Sequence, residues 1–305
     1  MNRPWESEID VSCALACQLI ESQFSELVPV SASEFGAGWD NVVFAVNDVW
    51  LFRFPRRSVA VTSLETETRV LPSISDQLPM AVPVPQFIGE PGDVYPWPFF
   101  GYRKIPGRAA CDMELSRSER VELAPAIGKF LNGLHTIPID AVKPLHVPDD
   151  AWGRFDRSKR IPQVRQYLER CVEHRLIEDS RPFLAIVESL APLLVPAPAR
   201  ELVHGDFYSK HLLIDDENQP TGIIDWGDVH LGDRAVDLSI GWGFLPSEAR
   251  NSFRDAYGPI DDATWSRARF RALNHAAITA VYGQETDDDA LRRESLISLG
   301  HVLEE

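Results

Sequence analysis

The spacing of hydrophobic residues changes along the chain. In the first third, apolar runs of strand length lie between clusters of turn formers. Helical spacing dominates the remainder, so the pattern predicts an α+β protein with a sheet-rich beginning and a mainly helical second part. The predicted strands cover 28–33, 42–46, 49–54, 86–89 and 99–107, and the predicted helices cover 9–24, 63–74, 116–135, 161–177, 180–194, 253–257 and 265–282.

The segment 201–242 combines short apolar runs with several chemically active side chains. Two of these runs flank a cluster of turn formers near Asn218, which predicts a hairpin. If the turn centres there, His211 and Asp225 lie opposite each other, roughly 4.5–5.5 Å apart. An imidazole and a carboxylate at this distance can share a metal ion, and Asp206 lies on the loop that leads into the hairpin.

The sequence His-Gly-Asp at 204–206, with His211 after it and Asp-Trp-Gly at 225–227, resembles the catalytic segment of aminoglycoside and macrolide phosphotransferases and their protein-kinase-like relatives. The resemblance implies that Asp206 accepts the proton of the substrate hydroxyl, while His211 and Asp225 hold Mg²⁺ on the nucleotide phosphates. His211 replaces the commoner Asn, and imidazole is a softer ligand than an amide oxygen. The resemblance assigns structural roles near the site to His204, Asp233 and Asp237.

A strand, a turn with two glycines at 34–41 and two further strands resemble the phosphate-covering loop of kinase N-lobes. Arg53 occupies the position of the Lys that reaches the phosphates in kinase relatives, and strand alternation places it on one face with Leu51. Glu67 is the favoured partner on the next helix, with Glu65 as the competing candidate. The nucleotide-binding residues implied in this region are Gly36, Gly38, Asp40, Asn41, Arg53 and Glu67.

The predicted strand at 99–107 resembles the hinge between the two lobes of the family, where the backbone meets the nucleobase. The hinge candidates are Arg103, Lys104 and Ile105. The resemblance therefore implies a bilobal, protein-kinase-like fold, with an N-lobe at 1–105 that covers the nucleotide. The C-lobe, at 106–305, carries catalysis and acceptor binding.

Composition restricts the partners. The net charge of −16 argues against nucleic-acid binding, which needs clustered Lys and Arg. Apolar runs stay well short of the roughly 20 residues of a membrane span, and the polar N-terminus is unlike a signal peptide. Cys13 and Cys17 have helical spacing without a nearby His and are interpreted as core residues. We expect a cytoplasmic monomer without a membrane or nucleic-acid partner.

The resemblance implies transfer of the γ-phosphoryl group of ATP or GTP to a hydroxyl of a small molecule, with Mg²⁺ as cofactor. An aminoglycoside or a macrolide is the leading acceptor. The alternatives are a kinase of a metabolite hydroxyl, as in choline- or homoserine-kinase relatives, a nucleotide-binding pseudokinase and a metal-dependent phosphohydrolase. The run 285–289, with four acids among five residues, is either a solvated turn or a wall that attracts a cationic acceptor.

Overall fold

A computed structural model describes residues 7–38, 40–195 and 200–305. The predictions made for the extreme N-terminus and for position 39 in the glycine turn therefore lie wholly or partly outside the described residues. The chain forms two compact units. The first comprises the residues up to Asp76 with 81–105 and 225–228, and the second comprises 77–80, 106–224 and 229–305.

The first unit is built around an antiparallel five-stranded sheet. Its elements are α1 (Cys13–Gln23), β1 (Ala32–Ala37), β2 (Asn41–Val46), β3 (Trp50–Pro55), α2 (Val59–Ile74), β4 (Phe87–Gly89) and β5 (Phe99–Arg103). The strand order is β1-β2-β3-β5-β4. At the β2–β3 turn, Asn47 and Asp48 have φ values of 50° and 58°, in the left-handed region that these residue types tolerate.

Aromatic side chains form much of the core of this unit. The rings of Phe54 and Phe99 stack with their centroids 4.5 Å apart, and Phe52 is fully buried. Gly101 has to lack a side chain, because an added Cβ would lie 2.4 Å from the Phe52 ring. The apolar alternation in β2 and β3 therefore supports the sheet that carries Arg53.

Two predictions at the start of the chain are wrong in detail. The first helix begins at Cys13, because the Ser12 side chain caps it by accepting a bond from the Leu15 amide at 3.2 Å. Cys13 is exposed and Cys17 is partly buried, so Cys13 is not a core residue. The predicted strand at 28–33 instead starts at Ala32, since proline at position 29 removes a sheet donor, and it ends at Ala37, within the predicted glycine turn.

The second unit is mainly helical. Its strands are β6 (Arg108–Ala109), β7 (Glu201–Val203), β8 (Leu212–Ile214), β9 (Pro220–Ile223) and β10 (His230–Gly232), in sheets ordered β10-β7 and β6-β8-β9. Its α-helices are α3 (Arg117–His135), α4 (Ile139–Val142), α5 (Arg157–Glu173), α6 (Arg181–Leu190), α7 (Ala235–Leu238), α8 (Ile240–Gly243), α9 (Arg250–Tyr257), α10 (Asp262–Glu285) and α11 (Asp289–Leu303).

Helix ends in this unit follow their local sequence. Helix α3 begins with a capping box, in which Ser116 and Glu119 satisfy each other's backbone amides. The segment at 138–160, predicted as loop, contains α4 and the start of α5. Helix α5 begins at Arg157 because the Asp156 side chain accepts a bond from the Ser158 amide at 2.9 Å. None of the helices in the described part of the chain combines the length and apolar character needed to cross a bilayer.

A buried ion pair joins α3 to α11. Arg120 donates to the two carboxylate oxygens of Glu294 at 2.6 and 3.1 Å, and these side chains are 2% and 3% exposed. Arg120 also donates to the carbonyl oxygens of Leu115 and Phe244. Charges this deeply buried depend on each other, because neither can regain water if its partner is removed.

We therefore expect Glu294→Gln to lower the free energy of unfolding by about 3 kcal/mol, measured by urea denaturation. The matched control is Glu248→Gln, which breaks a half-exposed pair with Arg117. That control should cost clearly less than Glu294→Gln, because solvent screens the pair that it breaks. Equal losses in the two variants would show that burial does not set the strength of the Arg120–Glu294 pair.

His301 of α11 should make stability depend on pH. Burial lowers the pKa of His301 to about 4, although its Nδ1 donates to the Gly243 carbonyl oxygen at 3.2 Å. Glu304 also opposes the shift, whereas the charges of Arg120 and Arg117 add to it. The unfolded chain binds this proton near pH 6.5, so the stability is present above that pH and is lost as the pH falls towards 4.

When the pH is lowered from about 7.5 to about 5, the free energy of unfolding should therefore fall by about 1–2 kcal/mol less in His301→Asn than in the wild type. Urea denaturation at the two pH values measures this loss. His146→Asn, at an exposed position, is the control and should leave the pH dependence unchanged. A steeper acid loss in His301→Asn than in the wild type would contradict the assignment of a neutral, buried His301.

Candidate functional site

In the first unit, Arg53 of β3 is the centre of a polar cluster. Its Nη1 donates to both carboxylate oxygens of Glu67 on α2 at 2.9 Å, and its Nη2 donates to Asp225 Oδ1 at 3.1 Å. With its amide oxygen turned towards the guanidinium, Asn41 accepts from Arg53 Nη2 at 2.9 Å. The pairing of Arg53 with Glu67 rather than Glu65 is therefore confirmed.

Burial controls the charges in this cluster. Burial raises the pKa of Glu67 to about 7, and the charge of Arg53 only partly opposes this rise. Burial alone would lower the pKa of Arg53, but Glu67 and Asp225 outweigh it and raise the pKa above its usual value. Arg53 is thus held permanently charged at the end of its strand.

Asp225 has a strained backbone, with φ at 61°, and its side chain is 48% exposed. Residues other than glycine rarely adopt this conformation, and functional sites are among the places where the surrounding structure enforces it. The conformation presents a carboxylate that contacts Arg53 on one oxygen. The hard oxygen atoms of such a carboxylate suit Mg²⁺.

The glycine segment differs from its predicted shape. Gly36 lies within β1, next to a bulge in the β1–β2 pairing, so the turn itself is shorter than predicted. Gly38 donates its amide to the Asn41 carbonyl oxygen at 2.8 Å, and Asp40 forms an ion pair with Arg57 at 2.9 Å. Gly38 and Asp40 are therefore each held by a contact.

The three hinge candidates occupy different environments. Arg103 is exposed at the end of β5, and the Lys104 amide donates to the Val49 carbonyl oxygen at 2.9 Å. Ile105 is buried. The Lys104 side chain lies over the exposed Phe35 ring, with its Nζ 5.2 Å from the ring centroid. The Lys104 amide is thus already engaged in a hydrogen bond within the first unit.

In the second unit, Asp237 holds the backbone of the His-Gly-Asp segment. Its carboxylate accepts bonds from the amides of His204 at 2.7 Å and Gly205 at 2.9 Å, and it contacts His135 Nε2 at 3.1 Å. Gly205 has a φ of 89°, which suits glycine. Fully buried, Asp237 thereby fixes the direction in which Asp206 leaves the loop.

His204 and Asp233 also serve as internal supports. His204 Nε2 donates to the Ile224 carbonyl oxygen at 3.0 Å, and burial lowers the pKa of this imidazole. Asp233 accepts from the Ala235 amide at 3.0 Å and from Arg267 Nε at 2.7 Å. Both side chains are thus engaged within the second unit, and their structural roles stay predictions.

The Asp206 carboxylate lies among basic groups that sequence reasoning missed. Arg271 Nη2 and His275 Nε2, both on α10, lie 3.4 Å from its Oδ1 atom. Burial alone would raise the pKa of Asp206, but the His275 hydrogen bond and the charges of His275, His211 and Arg271 outweigh it and lower the pKa. The signal in the sequence was the i,i+4 spacing of an Arg and a His on one helix.

His211 is oriented by its backbone contact. Its Nδ1 lies 2.8 Å from the Asp206 carbonyl oxygen, which can only accept, so Nδ1 carries a proton. When the ring is neutral, Nε2 carries the lone pair. An imidazole in this state has the donor atom that metal ligation requires. Among the described residues, groups of three or more His, Cys, Asp or Glu with the arrangement of a metal site are absent.

The predicted register of the hairpin is wrong by one residue. Leu212 pairs with Ile223, and the Ile224 amide donates to the His211 carbonyl oxygen at 3.0 Å. The turn is centred one residue earlier than predicted, because Ile214 pairs with Pro220, and this alone would shift the register by two. An irregularity in the β8–β9 pairing between Leu213 and Ile214 then reduces the shift to one. His211 therefore faces Ile224, not Asp225.

Comparisons with known proteins found similarity to phosphotransferases. A profile of the phosphotransferase enzyme family matches residues 31–271. Aminoglycoside 3'-phosphotransferase from Escherichia coli is 30% identical over 178 residues, which are 55% of this chain and only 61% of that relative. The match therefore spans about three fifths of the relative's length.

Solved structures show the fold. Aminoglycoside 2'-phosphotransferase-IIIa is similar with a TM-score of 0.69 and 23% identity, covering 96% of this chain and 99% of that one. Macrolide 2'-phosphotransferase type I is similar with a TM-score of 0.58 and 20% identity, covering 95% and 98%. The predicted α+β, kinase-like fold class is confirmed. By the profile match over most of its length, this chain belongs to the phosphotransferase enzyme family.

Proposed function

We propose that this protein transfers the γ-phosphoryl group of a nucleoside triphosphate to a hydroxyl group of a small molecule. The observation that carries the proposal is the ionised, partly exposed Asp206 carboxylate on a loop fixed by Asp237. Its Oδ1 is engaged by α10, so Oδ2 is the oxygen that faces an acceptor hydroxyl. Membership of the phosphotransferase family supports this reading of the chemistry.

In the proposed reaction, the acceptor oxygen attacks the γ-phosphorus while the bond to the β-phosphate oxygen breaks. The hydroxyl proton passes to Asp206, and the nucleoside diphosphate leaves. Because the pKa of Asp206 is low, this carboxylate is a weak base that first orients the hydroxyl and takes the proton late. Phosphoryl transfer tolerates a weak base, since it rests mainly on positioning and on charge neutralisation.

The other residues receive their roles from their contacts. Arg53, with Glu67 as its buried partner, would neutralise phosphate charge, and the 36–41 turn and residues 103–105 would contact the rest of the nucleotide. Asp225 and His211 are the proposed magnesium ligands of the first and second unit, respectively. Bound Mg²⁺ would neutralise charge on the phosphate oxygens. Asp225 offers hard oxygen atoms and His211 a lone pair on Nε2, so both side chains fit this role.

The nucleotide and the acceptor are supported by relatives only in outline. The aminoglycoside 2'-phosphotransferase-IIIa structure is a GDP complex, and a 19% identical aminoglycoside phosphotransferase was solved with streptomycin and ATP. These names make ATP and GTP the nucleotides to test, and aminoglycoside and macrolide antibiotics the first acceptors. Kinase activity on a metabolite hydroxyl is the second candidate.

Asp206→Asn should lower kcat by about 10²–10⁴-fold while nucleotide affinity stays within about twofold, because the variant loses the proton acceptor but keeps its shape. Release of ADP or GDP with a panel of antibiotics and small alcohols measures the first quantity, and calorimetry measures the second. Asp255→Asn, at an exposed position on α9, is the control. Unchanged turnover in Asp206→Asn contradicts the role of Asp206, and nucleotide binding without any transfer by the wild type would favour a pseudokinase.

A further inference from the structure

A series of buried hydrogen bonds in the second unit leads from α9 to the backbone of the His-Gly-Asp segment. The hydroxyl oxygen of Tyr257 lies 2.9 Å from His135 Nδ1, and His135 Nε2 lies 3.1 Å from Asp237 Oδ2. Asp237 in turn accepts bonds from the amides of His204 and Gly205. The side chains of Tyr257, His135 and Asp237 are all buried, so water does not compete for these contacts.

The chemistry of the two end groups fixes the direction of these bonds. Burial alone would raise the pKa of Asp237, but its hydrogen-bond partners outweigh burial and lower the pKa, so this carboxylate is ionised and only accepts. Burial raises the pKa of Tyr257 to about 12, although the charge of Arg234 opposes the rise. The phenol therefore keeps its proton at neutral pH. Arg234 Nη1 donates to the phenol oxygen at 3.5 Å, which leaves the phenol hydrogen to be donated to His135.

One protonation state of His135 satisfies all of these groups. In the neutral ring with its proton on Nε2, Nδ1 accepts from Tyr257 and Nε2 donates to Asp237. The opposite tautomer would place a lone pair against an Asp237 oxygen. An imidazolium would donate to the Tyr257 oxygen, and the buried phenol hydrogen would then have no acceptor among the described residues, which costs about as much as a lost hydrogen bond.

Tyr257 is itself held firmly against α3, the helix that carries His135. The Asn132 side chain donates to the Tyr257 carbonyl oxygen at 2.6 Å. At Gly128 of α3, an added Cβ would lie 2.4 Å from the Phe253 carbonyl oxygen, so α9 approaches α3 as closely as the backbone permits. The two helices therefore set the distance between the phenol and the imidazole.

We propose that Tyr257 is a positioning residue for Asp206, which acts through His135 and Asp237. Its hydroxyl orients the imidazole at one nitrogen and strengthens the donor at the other, because hydrogen bonds in series polarise one another. The imidazole then holds the Asp237 carboxylate where it accepts the two amides immediately before Asp206. The inference rests on the proposed phosphotransfer at Asp206 and adds a residue to the support of that site.

Long-range ¹H–¹⁵N correlation spectra of the full chain measure the state of His135 directly, with its ring signals assigned through its own backbone resonances. We expect a neutral ring with the proton on Nε2 at neutral pH. Tyr257→Phe removes the donor to Nδ1 and should move the Nδ1 resonance towards that of a ring nitrogen without a hydrogen bond. The matched control is Tyr95→Phe, which removes a buried phenol bond to the Pro55 carbonyl oxygen in the first unit. That control should leave the His135 resonances unchanged.

Hydrogen exchange of the His204 and Gly205 amides measures how firmly the loop is held. In Tyr257→Phe these two amides should exchange about tenfold faster, because one lost hydrogen bond changes a local opening equilibrium by about that factor. They should stay within about twofold of the wild type in Tyr95→Phe. With an acceptor that is turned over, kcat should fall by a similar factor in Tyr257→Phe while nucleotide affinity is retained.

A double-variant cycle separates action through His135 from general destabilisation. Once His135→Asn has removed the imidazole, adding Tyr257→Phe should change the exchange of the two amides by less than about twofold. An equal effect of Tyr257→Phe in both backgrounds would show that the phenol does not act through His135, and the proposal would then be wrong.

Two measurements decide the proposal even if His135→Asn does not fold. A charged His135 ring, or a proton on Nδ1 instead of Nε2, in the wild type at neutral pH would overturn it. Wild-type exchange of the His204 and Gly205 amides in Tyr257→Phe would overturn it as well. Failure of the proposed function has a different sign, namely nucleotide consumption that is absent with every acceptor or unchanged in Asp206→Asn, while the spectra and exchange rates are as expected.

Discussion

The chemistry assigned to this protein depends on keeping Asp206 ionised although its carboxylate is only 27% exposed. A carboxylate removed from water takes up a proton unless opposite charge or hydrogen bonds compensate for the lost hydration. Arg271 and His275 supply this compensation from α10. The same contacts occupy one carboxylate oxygen and orient the other, so the charge and the geometry of Asp206 have a single origin.

The loop that carries Asp206 is fixed by a second buried carboxylate, that of Asp237. By accepting the amides of His204 and Gly205, Asp237 replaces the water that would otherwise bind this backbone. The first unit uses a similar arrangement, in which buried Glu67 holds Arg53. In each unit a fully buried acid thus positions a more exposed functional group, and the buried acid itself need not contact a substrate.

Local patterns explain what the sequence revealed and what it concealed. The short hairpin after Asp206, the capping box of α3 and the pairing of Arg53 with Glu67 follow from turn residues, caps and alternation, which act over a few residues. Arg271 lies 65 positions from Asp206 in the sequence, and no local rule connects a helix to a loop over such a distance. The hairpin register was missed because the turn is centred one residue earlier than its turn formers suggest, and a bulge that the apolar pattern does not show corrects only part of the shift.

Family resemblance covers the catalytic segment and does not identify the residues that would contact an acceptor. The His-Gly-Asp segment and the buried acids reflect chemistry that a phosphotransferase needs whatever its acceptor. Close to Asp206 the structure places the guanidinium of Arg271, although the whole protein carries −16. A group this close affects the Asp206 carboxylate more than distant surface charges do, because salt screens those within about 8–10 Å.

The central claim is that basic neighbours hold Asp206 in its charged form. NMR titration of the ¹³C-labelled carboxyl of Asp206, assigned by the resonance lost in Asp206→Asn, measures this directly. The account predicts that the Asp206 resonance stays at its ionised position well below the ordinary aspartate pKa of about 3.9, down to the lowest pH at which the protein remains folded. A midpoint at or above that value would contradict it.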